Sequence, residues 1–303
     1  MRGWQKLLYA AALGIFGVAL AVFREGYLNI FIFTALINTV MAVSYDIPGR
    51  SLGLISLGHA VFFGLGAYIF GFSMTRGLTF FPAVCLTGMI SLMGAAAIAA
   101  FLARLNHGYF SLATLGVLFI FQRLAESLEK FTGGPAGLYL PESISPFHCG
   151  YLILLLLVLT TLGYGLYCGS RWGLYSRETE ADEDVAESIG IPTYTVKVLG
   201  MIAAALPASL AGALHLARTS HVSPVSGFSL TLSITALLAS RIVPVKGVLG
   251  PILGALLITA VEEVIWTKFA GFNQALFGLI LLAAALYQGV AFRREFFRSS
   301  GQP

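Results

Sequence analysis

The chain has 303 residues, 57% of them hydrophobic and only 11% charged, with a mean hydropathy of +0.86. Soluble domains carry about 25% charged residues, so this composition excludes a water-soluble globular protein and predicts an all-α integral membrane protein with many spans. The net charge of +4 comes without a basic run interleaved with aromatics, which argues against nucleic acid; surplus Lys and Arg is what cytoplasmic loops facing anionic lipid carry.

The N-terminus imitates a signal peptide: Arg2 and Lys6, an apolar run from Leu7, then Ala19-Leu20-Ala21. Another span begins after only Arg24-Glu25-Gly26, and 7–23 is read as a retained first helix. At about 20 mostly apolar residues per span, the further candidates are 28–45, 54–75, 79–103, 108–125, 150–168, 196–217, 230–243, 248–266 and 273–292. That predicts about ten spans in a single transmembrane domain, 1–303, with short or broken helices and two pseudo-related halves.

Orientation follows from counting Lys and Arg on alternate sides. With the N-terminus inside, twelve fall inside: Arg2, Lys6, Arg50, Arg104, Arg171, Arg177, Lys197, Arg241, Lys246, Arg293, Arg294 and Arg298. Six fall outside: Arg24, Arg76, Arg123, Lys130, Arg218 and Lys268. Both termini and the segment 170–192 are therefore expected in the cytoplasm, with the 126–149 loop outside.

Two regions are not ordinary spans. The stretch 54–75 follows Asp46-Ile-Pro-Gly-Arg-Ser and carries Gly58, Gly64, Gly66 and His59. The short span 230–243 meets Pro244, and Gly250 and Pro251 open the next. Interrupted segments in corresponding positions of two halves point to irregular backbone lining a pathway. Each glycine taken alone reads better as a site of close helix approach; the paired placement of the two broken regions favours the pathway.

Polar residues inside spans are costly and tend to be functional. Asn38, His59 and Gln122 are the pathway candidates; Thr231 and Thr235 are read as interhelical hydrogen-bonding groups, and Arg123 and Glu126 as a pair at the outer end of one helix. Glu262 and Glu263 are adjacent and cannot both face one ligand. No mid-membrane carboxylate relay is visible, which argues against proton-driven transport. His59, His107, His148, His215 and His221 form no catalytic motif, and Cys85, Cys149 and Cys168 no disulfide framework. No catalytic residue, metal site or cofactor is expected, and the lack of a G-x-x-x-x-G-K-[ST] run means that any ATP use needs a partner.

The segment 170–192, SRWGLYSRETEADEDVAESIGIP, is the one long charged stretch, with six acids from Glu178 to Glu187. A short helix beginning at Thr179 or the following acids would place negative charge at its N-terminal end, with Gly190-Ile-Pro192 to end it. Charge pattern alone favours a solvated loop over a helix that enters a groove on a soluble partner.

Four stretches together resemble one family: SLGHAVFFGLGAY from Ser56, GYFSLATLG from Gly108, TGGPAGL from Thr132, and SRWG from Ser170 leading to ESIGI from Glu187. LGPILGA from Leu249 is a fifth. The chain is similar to the permease subunits of bacterial ABC importers for branched-chain amino acids, specifically the sister permease with the TGGP outer loop. The resemblance implies import across the inner membrane, with a sister permease, two cytoplasmic ATPases and an extracytoplasmic binding protein as partners. It also implies ATPase coupling at Glu183, Asp184, Val185, Ala186, Glu187, Ser188, Ile189 and Gly190, while Arg171-Trp172 would anchor the preceding span at the interface. Leu174 and Glu180 stand where that family usually has basic residues, and Arg241, Pro244 and Lys246 where it has glycines. Urea or short amides are alternative substrates; a stand-alone channel or facilitator is the alternative of another class.

Overall fold

The structure, a computed structural model, describes residues 26–105, 107–140, 146–245, 247–268 and 278–279. The expected span 7–23, all of 273–292 but residues 278–279, the signal-peptide reading and Lys246 lie outside the described residues.

Long apolar runs become helices here because a backbone in hydrocarbon must satisfy its own hydrogen bonds. Among the described residues six helical stretches are long and apolar enough to cross a membrane. They are α1 (Tyr27–Ser51), α3 (Phe80–Leu102), α4 (His107–Ser127), α6 (Pro146–Gly169), α9 (Thr193–Thr219), and the stretch formed by α10 (Pro224–Gly227) with α11 (Leu230–Ile242). The helix α2 (Ala60–Thr75) is shorter, at 16 residues, and α12 (Leu249–Lys268) has 20. The expected span 54–75 is thus helical only from Ala60, and α11 is short, at 13 residues.

The bundle is organised around α1 and α9. Helix α1 is buried along most of its length, with α9, α6, α11 and α12 packed against it. Helix α9 carries α2 and α3 on its other sides. The α2–α9 contact is a backbone approach: a Cβ on Gly66 would lie 1.8 Å from Ser209 O, and one on Gly212 2.0 Å from Phe63 O. Small residues bring membrane helices this close because lipid gives apolar side chains no reason to prefer protein. The faces that α3, α4 and α6 turn outward bear exposed Met89, Phe101, Phe119, Leu155 and Leu166, as lipid contact requires.

At one end of the bundle a cap joins distant parts of the chain. It comprises α5 (Glu129–Thr132), a 3-10 turn (Gly134–Ala136), and β1 (Leu138–Tyr139) paired antiparallel with β2 (His221–Val222). The TGGP motif makes this turn. Thr132 Oγ1 donates to Ala125 O at 2.6 Å, and Gly137 has φ 81, where a Cβ would lie 2.2 Å from Val222 O. A left-handed residue that also touches a neighbouring backbone has to be glycine.

Ten of the described members of the two basic sets segregate by end. Arg76, Arg123, Lys130 and Arg218 lie about the cap, through the Phe72–Phe131 contact and the Leu140–Ser220 backbone bond. Arg50, Arg104, Arg171, Arg177, Lys197 and Arg241 lie at the end that holds α7 (Arg171–Ala181) and α8 (Glu183–Ser188).

Candidate functional site

The chain leaves helix at Leu52 and re-enters it at Ala60, deep in the protein. Pro48 lies inside the last turns of α1 and has no N–H to bond back to the preceding turn. The freed backbone finds side chains from three helices. Tyr45 Oη accepts from Ser56 N at 2.9 Å, Thr114 Oγ1 from Leu57 N at 3.0 Å, and Ser233 Oγ from Ala60 N at 2.9 Å. Ser111 Oγ donates to Ile55 O at 2.7 Å. The N-terminus of α2 therefore points inward and is capped by a hydroxyl from α11.

His59 sits at this break, 1% exposed, with its Nε2 2.9 Å from Ser44 Oγ. Because the Ser44 hydroxyl donates to Met41 O at 3.0 Å, it accepts from His59, so Nε2 carries the hydrogen. Asn38 lies on α1 six residues before Ser44 and donates to Thr259 Oγ1 of α12 at 3.0 Å. Gln122 is half-buried on α4 and makes no hydrogen bond to either. The three pathway candidates are therefore on one bundle but not in one cluster. An apolar cleft of about 260 Å³ between α6 and α9, lined by Leu156, Tyr164 and Pro207 among others, includes none of them.

The glycines divide into two groups. A Cβ on Gly58 would lie 2.2 Å from Thr114 O, inside the break, while Gly64 faces the Phe228 ring and Gly66 the α9 backbone. At the second interruption, Pro244 is exposed, a Cβ on Gly250 would lie 2.5 Å from Val245 O, and Pro251 falls in the first turn of α12. Arg241, which stands where flexible glycine is expected, donates to Gly49 O.

The charged segment is two helices rather than one. The first starts earlier than the acids suggest, because Ser170 Oγ accepts from Gly173 N and caps α7. It breaks at Asp182, whose Oδ1 accepts from Asp184 N and Val185 N at 3.0 Å and so starts α8. Gly190 ends α8 at φ 87. Glu183 and Glu187 are tied to α9: half-buried Glu183 pairs with buried Lys197, and Thr193 Oγ1 donates to Oε1 of exposed Glu187, so both hold α8 onto α9. The outward face is Asp184, Val185, Glu187, Ser188, Ile189 and Gly190, with Val185 56% and Ile189 67% exposed. Ala186 is the inward residue.

Ala186 and Ile191 pack into an apolar cluster with Leu52 and Leu54, which open the break, and with Phe110 and Met201. Trp172 and Tyr175 pack against the same cluster. The exposed α8 is thus joined to the broken backbone by continuous packing.

Tyr45, Ser111, Thr114, Ser233 and Lys197 were not among the expected site residues. Ser111 and Thr114 fall within GYFSLATLG, so the motif itself held the signal. Ser233 had none beyond its place between Thr231 and Thr235, which make no hydrogen bond among the described residues. The expected pair of Arg123 and Glu126 is present at 2.6 Å. Glu262 and Glu263 are both half-buried.

A family profile described as branched-chain amino acid transport system / permease component matches residues 27–285. The chain is similar to the high-affinity branched-chain amino acid transport system permease protein LivM of Salmonella typhimurium, 26% identical over 258 residues, covering 73% of this chain and 60% of that protein. It therefore spans less than two thirds of that relative's length. Among solved structures it is similar to a chain of PsaBC from Streptococcus pneumoniae in complex with Fab, with a TM-score of 0.45, 16% identity, and coverage of 92% of this chain and 95% of that one.

Proposed function

The chain belongs to the branched-chain amino acid transport system permease family, and from that premise we propose that it is a transmembrane subunit of an ATP-driven importer for branched-chain or other hydrophobic amino acids. It is a multi-pass membrane protein and a transport subunit rather than an enzyme. In the proposed assembly it pairs with a sister permease in a bacterial inner membrane, with about ten spans in two related halves and both termini in the cytoplasm. Two cytoplasmic ATPases contact α7–α8, and an extracytoplasmic binding protein meets the opposite end.

The observation that carries this reading is the packing of Ala186 and Ile191 against Leu52 and Leu54. A displacement of α8 by an ATPase is delivered, through side chains in contact, to the non-helical stretch between Leu52 and Ala60. Asn38, His59 and the break at Gly58 are the proposed pathway wall, and Gly250 with Pro251 its counterpart at the second interruption. Gln122 belongs to the pathway only if α4 turns its polar face inward during transport. Close-packed cores switch between discrete arrangements rather than deform smoothly, which suits alternating access.

The test is uptake of radiolabelled leucine and of urea into vesicles holding this chain, its sister permease, the ATPases and the binding protein. Uptake of leucine that needs both ATP and the ATPases supports the proposal; preference for urea reassigns the substrate. Uptake that persists without any ATPase makes the chain a channel or facilitator and overturns it.

A further inference from the structure

The facing ends of α1 and α11 exchange arginines, an arrangement the coupling contact itself does not require. The last carbonyls of a helix have no partner within it and carry partial negative charge. Arg50, in the last turn of α1, donates from Nη1 to Val245 O at 3.0 Å and from Nη2 to Ser240 O at 2.9 Å. Arg241, in the last turn of α11, donates from Nη2 to Gly49 O at 2.5 Å. Each helix caps the other. Asp46, one turn before Arg50, lies 3.5 Å from Arg50 Nε and accepts from Tyr164 Oη of α6 at 2.6 Å, so a third helix is tied in.

Two features make this a switchable contact rather than a fixed strut. It is loosely held, since Asp46 Oδ1 meets Arg50 Nε only at 3.5 Å, too long for a good hydrogen bond, and Arg241 Nε is buried without one. It is also within reach of water, because the Arg50 side chain is 29% exposed although Asp46 is fully buried. Guanidiniums that let go of carbonyls there can be rehydrated, which a deeper pair could not.

The same residues stand between the docking helices and the break. Leu52, two residues beyond Arg50, packs with Ala186 and Ile191. A second route runs through α6: Tyr167 Oη lies 2.6 Å from Ser176 Oγ of α7, and Tyr164, one turn earlier, holds Asp46. On the far side, α11 carries Ser233, the cap of α2, eight residues before Arg241, about 12 Å along one rigid helix. Anything that parts the ends of α1 and α11 also moves the group that satisfies the break.

We propose that Arg50, Arg241 and Asp46 form a latch that closes the pathway at the end bearing α7 and α8, and that displacement of those helices releases it. This rests on the reading of the chain as a permease driven through 170–192. The latch itself can be read without any ATPase. Ser51 is buried, 8% exposed, beside Arg50. In a chain with Ser51→Cys and its own cysteines replaced by alanine, reconstituted in nanodiscs, a charged maleimide should label position 51 slowly. Arg50→Gln and Arg241→Gln should each speed labelling about tenfold, the factor expected from losing one such contact, and the double variant should add little to either. Arg241→Lys, which keeps a donor for Gly49 O, should label close to the unsubstituted rate and secures the test where Gln variants fold poorly. Labelling that is equally slow in all variants overturns the latch. In the assembled importer, Arg241→Gln should lower leucine taken up per ATP hydrolysed at least about threefold; an unchanged ratio overturns the gating role. A complete absence of ATP-driven uptake by the unsubstituted assembly counts against the importer reading alone, since the labelling result stands apart from it.

Discussion

The two interruptions in the helical chain solve the same problem with different chemistry. Between α1 and α2 the freed backbone is met by neutral groups, the hydroxyls of Ser111, Thr114 and Ser233 and the phenol of Tyr45. Between α11 and α12 it is met by a cation, with Arg50 on Ser240 O and Val245 O. Burial accounts for the difference. The first interruption is mostly enclosed, with Ser56 at 7% and His59 at 1% exposure although Ile55 is exposed, whereas the second reaches the surface at Pro244. Burying an ion costs several kcal/mol more than burying a paired hydroxyl. Charge is therefore affordable where water is near, and a break at depth is held by uncharged donors and acceptors.

If that distinction is sound, the first interruption should be intolerant and the second forgiving. The largest loss is expected from Gly58→Val, whose Cβ would lie 2.2 Å from Thr114 O. Forcing backbone apart at a packed site should cost about 3 kcal/mol, read as a lowered melting temperature in detergent. Next comes a pair that probes charge at the docking end. Glu183→Gln leaves the Lys197 ammonium, at 1% side-chain exposure, without its carboxylate, while Lys197→Met leaves only the more exposed Glu183 unpaired. The first should destabilise by about 2 kcal/mol and the second by clearly less; equal losses would show that burial does not set the cost. Ser233→Ala should then remove about 1–2 kcal/mol by stranding the Ala60 amide, with hydrogen exchange at that amide rising in step. Pro244→Ala, at an exposed turn, should stay within about 0.5 kcal/mol. A loss at Pro244 as large as that at Ser233 would erase the contrast between the two interruptions.

Much of this architecture is written locally. Spans from 28 to 266 are visible because hydropathy summed over about 20 residues averages out individual positions, and Gly250-Pro251 marks a helix start as proline near a first turn should. The acids of 170–192 are equally visible, yet the sequence suggests one helix where there are two, because the break depends on Asp182 turning its side chain onto its own backbone. The reading of Thr231 and Thr235 as bonding groups fails for a related reason. Helical spacing tells which residues share a face, but not which of three hydroxyls on that helix reaches the end of α2. Ser233 does. Glu183 and Glu187 likewise look like free charges until Lys197 and Thr193 are placed against them.

By itself the sequence determined that the chain is a multi-pass membrane protein, which stretches are apolar enough to cross, and which family it joins. Those properties are sums over neighbouring residues or short motifs. The tertiary structure alone decided which polar groups are held and by whom. Asp46 meets Tyr164 across 118 residues, Asn38 meets Thr259 across 221, and Arg50 reaches Val245 across 195. A hydrogen bond forms only within about 3 Å, and which distant residues come that close is settled by how helices pack, not by how far apart they stand in the chain.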